Sequence, residues 1–170
     1  MALEVITFDS SADIAMPFTA IGDVDQNPDP LVADVFTSMD AGIRLALRDL
    51  KARRKVYRNS GISSYRPWVI LMTDGGPNDD NWEQAAEEMR TLGKNGKIQY
   101  IGIRIGIGDC ADHDIMCRIL PAQPGPVKLK VLRFKQFFRW LTDSMKSVSA
   151  SAVSDQDNIR YRGIDDWGEL

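Results

Sequence analysis

The sequence predicts an α/β protein: a mainly parallel sheet, helices on both faces and an antiparallel hairpin at the amino end. Three observations carry this. Trp68-Val69-Ile70-Leu71-Met72 is apolar on both alternating sets of side chains, the pattern of a strand covered on both faces. That run ends abruptly in Thr73-Asp74-Gly75-Gly76-Pro77, where an open α/β sheet turns out of a strand toward a helix. Strand-like and helix-like stretches then alternate along the chain, the order that crossover connections between parallel strands produce.

Val5-Ile6-Thr7-Phe8 reads as a strand, Asp9-Ser10-Ser11 as a turn, and Ile14 to Phe18 as its hairpin partner. Gly22 to Pro30 holds two prolines, Asn27 and several aspartates and reads as a loop. Thr37 or Ser38 caps a helix carrying Ile43, Leu45, Leu47 and Leu50, followed by a loop from Asn59 to Pro67. After the Trp68 strand, Asn78 or Asp79 caps a helix to about Leu92, and Gly93 to Gly96 stops it. Ile98 to Ile107 reads as a second buried strand, Asp112 to Leu120 as a short helix ended by Pro121, and Val127 to Leu132 as an edge strand. Phe134 to Val148 forms a last amphipathic helix burying Phe134, Phe137, Phe138 and Leu141. Residues 1–148 are expected to form the domain, and 149–170 a Ser/Asp-rich tail that docks or binds through Ile164-Asp165-Asp166-Trp167.

With 170 residues, 44% hydrophobic and 26% charged, the chain is long enough and apolar enough for one ordinary domain. A net charge of -3 disfavours a general nucleic-acid binder. Lys51, Arg53, Arg54, Lys55 and Arg58 gather near a helix end, where the macrodipole favours cations and solvent screens them. Two cysteines make no disulfide framework, and no basic, apolar leader or membrane-length run is present. A reduced, cytoplasmic protein that binds neither nucleic acid nor membrane is the expectation.

Ligand sites in open α/β sheets form just beyond the carboxyl ends of strands. Asp74 therefore stands where metal binding or chemistry is expected, and Gly75 and Gly76 let the backbone approach what is bound. Cys110, His113 and Cys117 form a Cys-x2-His-x3-Cys string, but His113 is the only histidine and structural zinc usually shows two ligand pairs. A short helix with a half-buried Cys117 is expected there. Gly102, Gly106 and Gly108 lack the dinucleotide-binding spacing and are expected to let a helix pack closely on the strand.

Several segments together resemble the von Willebrand factor A domains, in particular the bacterial tellurium-resistance TerY-like branch. They are Val5-Ile6-Thr7-Phe8-Asp9-Ser10-Ser11-Ala12, Leu71-Met72-Thr73-Asp74-Gly75-Gly76-Pro77-Asn78-Asp79-Asp80 with Trp82, Ile101-Gly102-Ile103, and Phe134 to Leu141. The resemblance implies a doubly wound, Rossmann-like fold and a metal-ion-dependent adhesion site. In that family an Asp-x-Ser-x-Ser, a threonine and an aspartate hold Mg²⁺, and a partner's carboxylate completes the coordination. Thr37 and Asp74 match the threonine and the aspartate. Asp9, Ser11, Gly75, Gly76 and Pro77 would form the partner-binding rim.

The Asp-x-Ser-x-Ser itself is missing, since Asp9-Ser10-Ser11-Ala12-Asp13 ends in aspartate. The span from Asp9 to Thr37 is also too short for the helix and hairpin the family places there. Val5–Phe8 therefore corresponds to the family's second strand, and the first strand and helix are absent. Three explanations stand: a start ~40 to 50 residues upstream, which is favoured; a strand donated by a partner or second copy; or degeneration into a scaffold without metal. Open sheet edges would invite self-association.

The reading is a non-enzymatic protein-binding module with a partial metal site, in a bacterial tellurium-resistance, stress-response or phage-defence system. The competing reading is a Mg²⁺-dependent phosphatase similar to the haloacid dehalogenases. There Asp9 would be the nucleophile, and Asp74 and Asp79 the metal carboxylates. That family needs a second aspartate two residues after its nucleophile, where this chain has Ser11.

Overall fold

The computed structural model describes residues 1–25, 27–32, 36–74, 76–105, 112–120, 125–130, 133–150 and 163–169. Strand β1 (Ala2–Phe8) pairs antiparallel with β2 (Ala12–Ala20). The expected hairpin is thus present, and longer than its sequence signal. Its register shifts between Leu3 and Val5 and again between Val5 and Ile6, irregularities that bend and twist a ribbon.

Helix α1 (Met39–Asn59) follows, with Met39, Ile43 and Leu47 buried along one stripe. Then come β3 (Trp68–Thr73), α2 (Trp82–Lys94), β4 (Gln99–Arg104), α3 (Asp112–Ile119), β5 (Val127–Leu129), α4 (Phe134–Ser149) and β6 (Gly168–Glu169). One four-stranded sheet has the order β3-β4-β5-β6, and the hairpin forms a separate two-stranded sheet. β3 with β4 and β4 with β5 run parallel, while β6 is antiparallel to β5. The fold is mixed α/β, a mixed sheet with helices and an antiparallel hairpin.

Alternation along β3 and β4 divides the apolar side chains between two clusters. Leu71 and Tyr100 pack with Met39, Ile43 and Leu47 of α1, Ala85, Ala86 and Met89 of α2, and Met116 and Ile119 of α3. Ile101 and Ile103 face the other way, onto Phe137 and Trp140 of α4, with Ile70 and Met72 of β3 beside them. Gly102 makes the first layer close: a Cβ there would lie 2.1 Å from Leu120 Cδ1. The close packing expected of this glycine is present; Gly106 and Gly108 lie outside the described residues.

Several expectations are corrected. β3 is not a fully buried strand, for Trp68, Val69, Ile70 and Met72 are only half-buried. Both its faces carry packed side chains, but among the described residues it ends the sheet. β5 is not an edge strand, because β6 pairs along it. Phe138 is exposed, at 53%, since it sits about 100° round the helix from buried Phe137; Trp140 is buried in its place. Cys117 is exposed rather than half-buried, and Cys110 lies outside the described residues.

Within the tail, Gly163 adopts a left-handed φ of 83° and starts the turn Ile164–Asp166. Trp167 is fully buried, its ring centroid 5.0 Å from Phe137 and 5.1 Å from Trp140. Lys130 N donates to Trp167 O at 2.9 Å, prolonging the β5–β6 pairing. Among the described residues, no helix is long and apolar enough to cross a membrane.

Candidate functional site

The amino end of α1 gathers segments from three parts of the chain. Ser38 is the N-cap residue, yet its side chain makes no capping bond, so the free N–H groups of the first turn need other acceptors. Ser38 N donates to Asp9 O at 2.7 Å, at the carboxyl end of β1. Thr37 N donates to Asn78 Oδ1 at 2.8 Å, and Asn78 N returns a bond to Thr37 O at 3.0 Å. Asp40 N donates to Asp79 Oδ2 at 2.7 Å. The loop after β3 thus caps α1 from a distance.

This reassigns Asn78 and Asp79, which the sequence placed at the start of α2. Their side chains serve α1, while Asn81 takes the N-cap of α2 with no side-chain bond. The change follows from the chain path: β3 and α1 end and begin side by side, so the loop reaches the neighbouring helix before entering its own.

Burial pushes the Asp79 carboxyl above its ordinary range, and the nearby Asp40 and Asp80 charges add to this against the Asp40 N–H bond. Asp79 Oδ1 is buried without a hydrogen-bond partner among the described residues. Asp40 is itself held by Arg44, Nε to Oδ1 at 2.7 Å.

Asp74 is exposed at the end of β3, and no partner engages its carboxylate among the described residues. Thr37 is half-buried, with its main chain committed to Asn78. Gly76 and Pro77 are half-buried beside them; Gly75 lies outside the described residues. Thr37 is therefore brought against Asn78, four residues beyond Asp74, through bonds of its main chain.

Asp9 and Ser11 contribute differently. Asp9 Oδ1 accepts from Ser11 N at 3.2 Å, and Ser11 Oγ donates to Asp13 Oδ2 at 2.7 Å. Their side chains stabilise the hairpin turn, and only the Asp9 carbonyl joins the clasp on α1.

Mg²⁺ prefers near-octahedral oxygen ligands with one or two carboxylates. Among the described residues, no three His, Cys, Asp or Glu side chains are grouped to hold a metal ion. Asp9 Oδ1 and Ser11 Oγ are engaged within their own turn.

Two further features escaped the sequence. Leu31, Val32 and Phe36, in the loop leading to Thr37, are 66%, 85% and 59% exposed; the aspartates and prolines before them signalled only a loop. The basic cluster on α1 also divides. Arg53 lies over the rings of Phe18 and Tyr57, Arg54 donates to Lys97 O at 2.9 Å, and Lys51, Lys55 and Arg58 line a shallow groove with Arg48.

No protein-family model matches the sequence, and no curated protein matches it.

Proposed function

We propose that the chain is a non-enzymatic protein-binding module that engages its partner through the rim at the amino end of α1. The observation that carries this reading is the exposed Asp74 carboxylate, unpartnered among the described residues, on a loop clasped to Thr37, with apolar Leu31, Val32 and Phe36 exposed on the adjoining loop. An exposed carboxylate and exposed apolar side chains on neighbouring loops are what a protein partner can pair with and desolvate. The resemblance to A domains supports the same rim and points to a partner in a bacterial tellurium-resistance, stress-response or phage-defence system. The phosphatase reading is less favoured, because Asp9 accepts a hydrogen bond inside its own turn and Ser11 stands where a general acid is needed.

The test is quantitative capture of bacterial proteins on the immobilised full chain, compared with Asp74→Ala and Phe36→Ser. Proteins retained by the parent should be lost from both variants while their thermal stability is unchanged. Identical retention by all three would discard the rim. Turnover of p-nitrophenyl phosphate with Mg²⁺, abolished by Asp9→Asn, would replace the reading with the enzymatic one.

A further inference from the structure

The carboxyl half of α1 carries a row of cations that the core does not use. Arg48, Lys51, Lys55 and Arg58 line a shallow groove together with Ala52 and Asn59. All four cations are exposed. Their spacing of three, four and three residues sets them along one face of the helix, over ~15 Å of its axis. The other arginines of α1 have internal roles. Arg53 lies over Phe18 and Tyr57, Arg54 holds Lys97 O, and Arg44 holds Asp40 and Glu88.

The end of the helix does not account for this row. The macrodipole acts within the last turn, and Arg58 is the one basic residue there. Arg48 and Lys51 stand about two to three turns before Asn59. Internal ion pairs do not account for it either. Arg48 Nε meets Asp49 Oδ1 at 2.7 Å. Among the described residues, no carboxylate lies within ion-pair distance of Lys51, Lys55 or Arg58. Like charges three and four residues apart repel one another, and an anionic occupant of the groove would relieve that repulsion.

We infer that this groove docks an acidic helical segment of a partner protein, with glutamates at the same three-four-three spacing. That spacing reads the same in both directions, so a parallel or an antiparallel helix meets each cation with one carboxylate. The arginines at the two ends offer planar forks to carboxylates, and the lysines between them supply point charges. Facing rows of opposite charge set partner choice between paired helices. A second copy of this chain presents no free acidic row on α2, where Arg118 holds Glu83, Arg90 holds Glu87 and Arg44 holds Glu88. The net charge of -3 opposes a long polyanion such as nucleic acid, whereas a short segment feels mainly the charges within a Debye length. The rim around Asp74 lies at the amino end of α1, and the inference does not rest on it.

The experiment is fluorescence anisotropy of a labelled peptide titrated with the full chain at about 20 mM salt, where screening is weak. The probe is an alanine-rich helical peptide with four glutamates at three-four-three spacing. Its control carries the same four glutamates scattered round the helix. The probe should bind about tenfold more tightly than the control. Lys51→Ala combined with Lys55→Ala should weaken the probe by about the same factor. Lys94→Ala combined with Lys97→Ala removes two exposed cations outside the row and should change nothing.

Equal binding of probe and control overturns the inference, as does equal weakening by the two double variants. No binding of the probe at millimolar protein also overturns it. Tighter binding of a DNA duplex or of vesicles holding anionic lipid, lost with Lys51 and Lys55, would assign the row to a phosphate surface instead. Should a variant unfold, the preference of the parent for the probe over its control still decides. Asp74→Ala should keep that preference, which separates failure here from failure of the rim.

Discussion

The two ends of the four-stranded sheet are finished by different physics. At the β5 end, β6 pairs along the strand, and Trp167 drives a fully buried indole between Phe137 and Trp140. At the β3 end, no strand of the hairpin pairs with the sheet among the described residues, and α1 with a polar clasp of Asp9, Thr37, Asn78 and Asp79 links the two. The first closure excludes water and draws on apolar burial. The second is held by hydrogen bonds that water can replace, so each contributes less net stability. On this account the β5 end of the sheet contributes more to stability than the β3 end.

The largest effect should come from breaking the closed end. Trp167→Ala removes a fully buried aromatic side chain and should lower unfolding free energy by ~3–5 kcal/mol in urea titration. A loss below about 1 kcal/mol would mean that the two ends are alike. Gly168→Ala probes the same end by crowding: its Cβ would fall 2.3 Å from Val127 Cγ1. Overpacking of that kind should cost ~1–3 kcal/mol.

At the clasped end the effects should be smaller. Asp79→Ala takes away the acceptor of Asp40 N and should cost about 0.5–2 kcal/mol, as loss of a helix cap does. Asp79→Asn, which keeps an oxygen, should cost less. A cost for Asp79→Ala matching that of Trp167→Ala would erase the contrast between the ends.

The smallest effect is a pH dependence confined to the clasped end. Burial raises the Asp79 carboxyl from an ordinary 3.8. Burial also raises Glu4 from 4.5, with Asp49 adding to the shift and Arg48 opposing it. Both groups hold a proton more tightly folded than unfolded. Their contribution to stability is therefore greatest below those values and falls as pH rises through the window just above them. The double variant Glu4→Gln, Asp79→Asn should flatten that fall, read as the difference from the parent in urea midpoints across the window. An unchanged slope would mean that neither burial is felt.

Much of this architecture was legible residue by residue. The turn at Asp9-Ser10-Ser11 between two apolar runs announced the hairpin. The spacing of Ile43 and Leu47 announced α1, and the abrupt end of the Trp68 run located Asp74 at a strand terminus. What misled were features whose partners lie far along the chain. Asn78 and Asp79 carry a sound capping signal, but it serves α1, some forty residues upstream, as the separation of 39 between Asp40 and Asp79 shows. Trp167 did not mislead: the tail reads as one that docks or binds through Ile164 to Trp167, and its docking on α4 buries the indole. Leu31, Val32 and Phe36 lie beyond a stretch of aspartate and proline that signals a loop and says nothing of its apolar end.

The sequence by itself determined the type and order of the helices and strands from β1 to α4, though not β6, because the period of apolar residues and the chemistry of turns act over a few neighbouring positions. It also determined which strands are apolar on both faces. The tertiary structure alone decided which strand would be an edge, which helix a capping side chain would serve and which apolar residues would stay in water. Those outcomes depend on segments tens of residues apart meeting in space, and no local period encodes such a meeting.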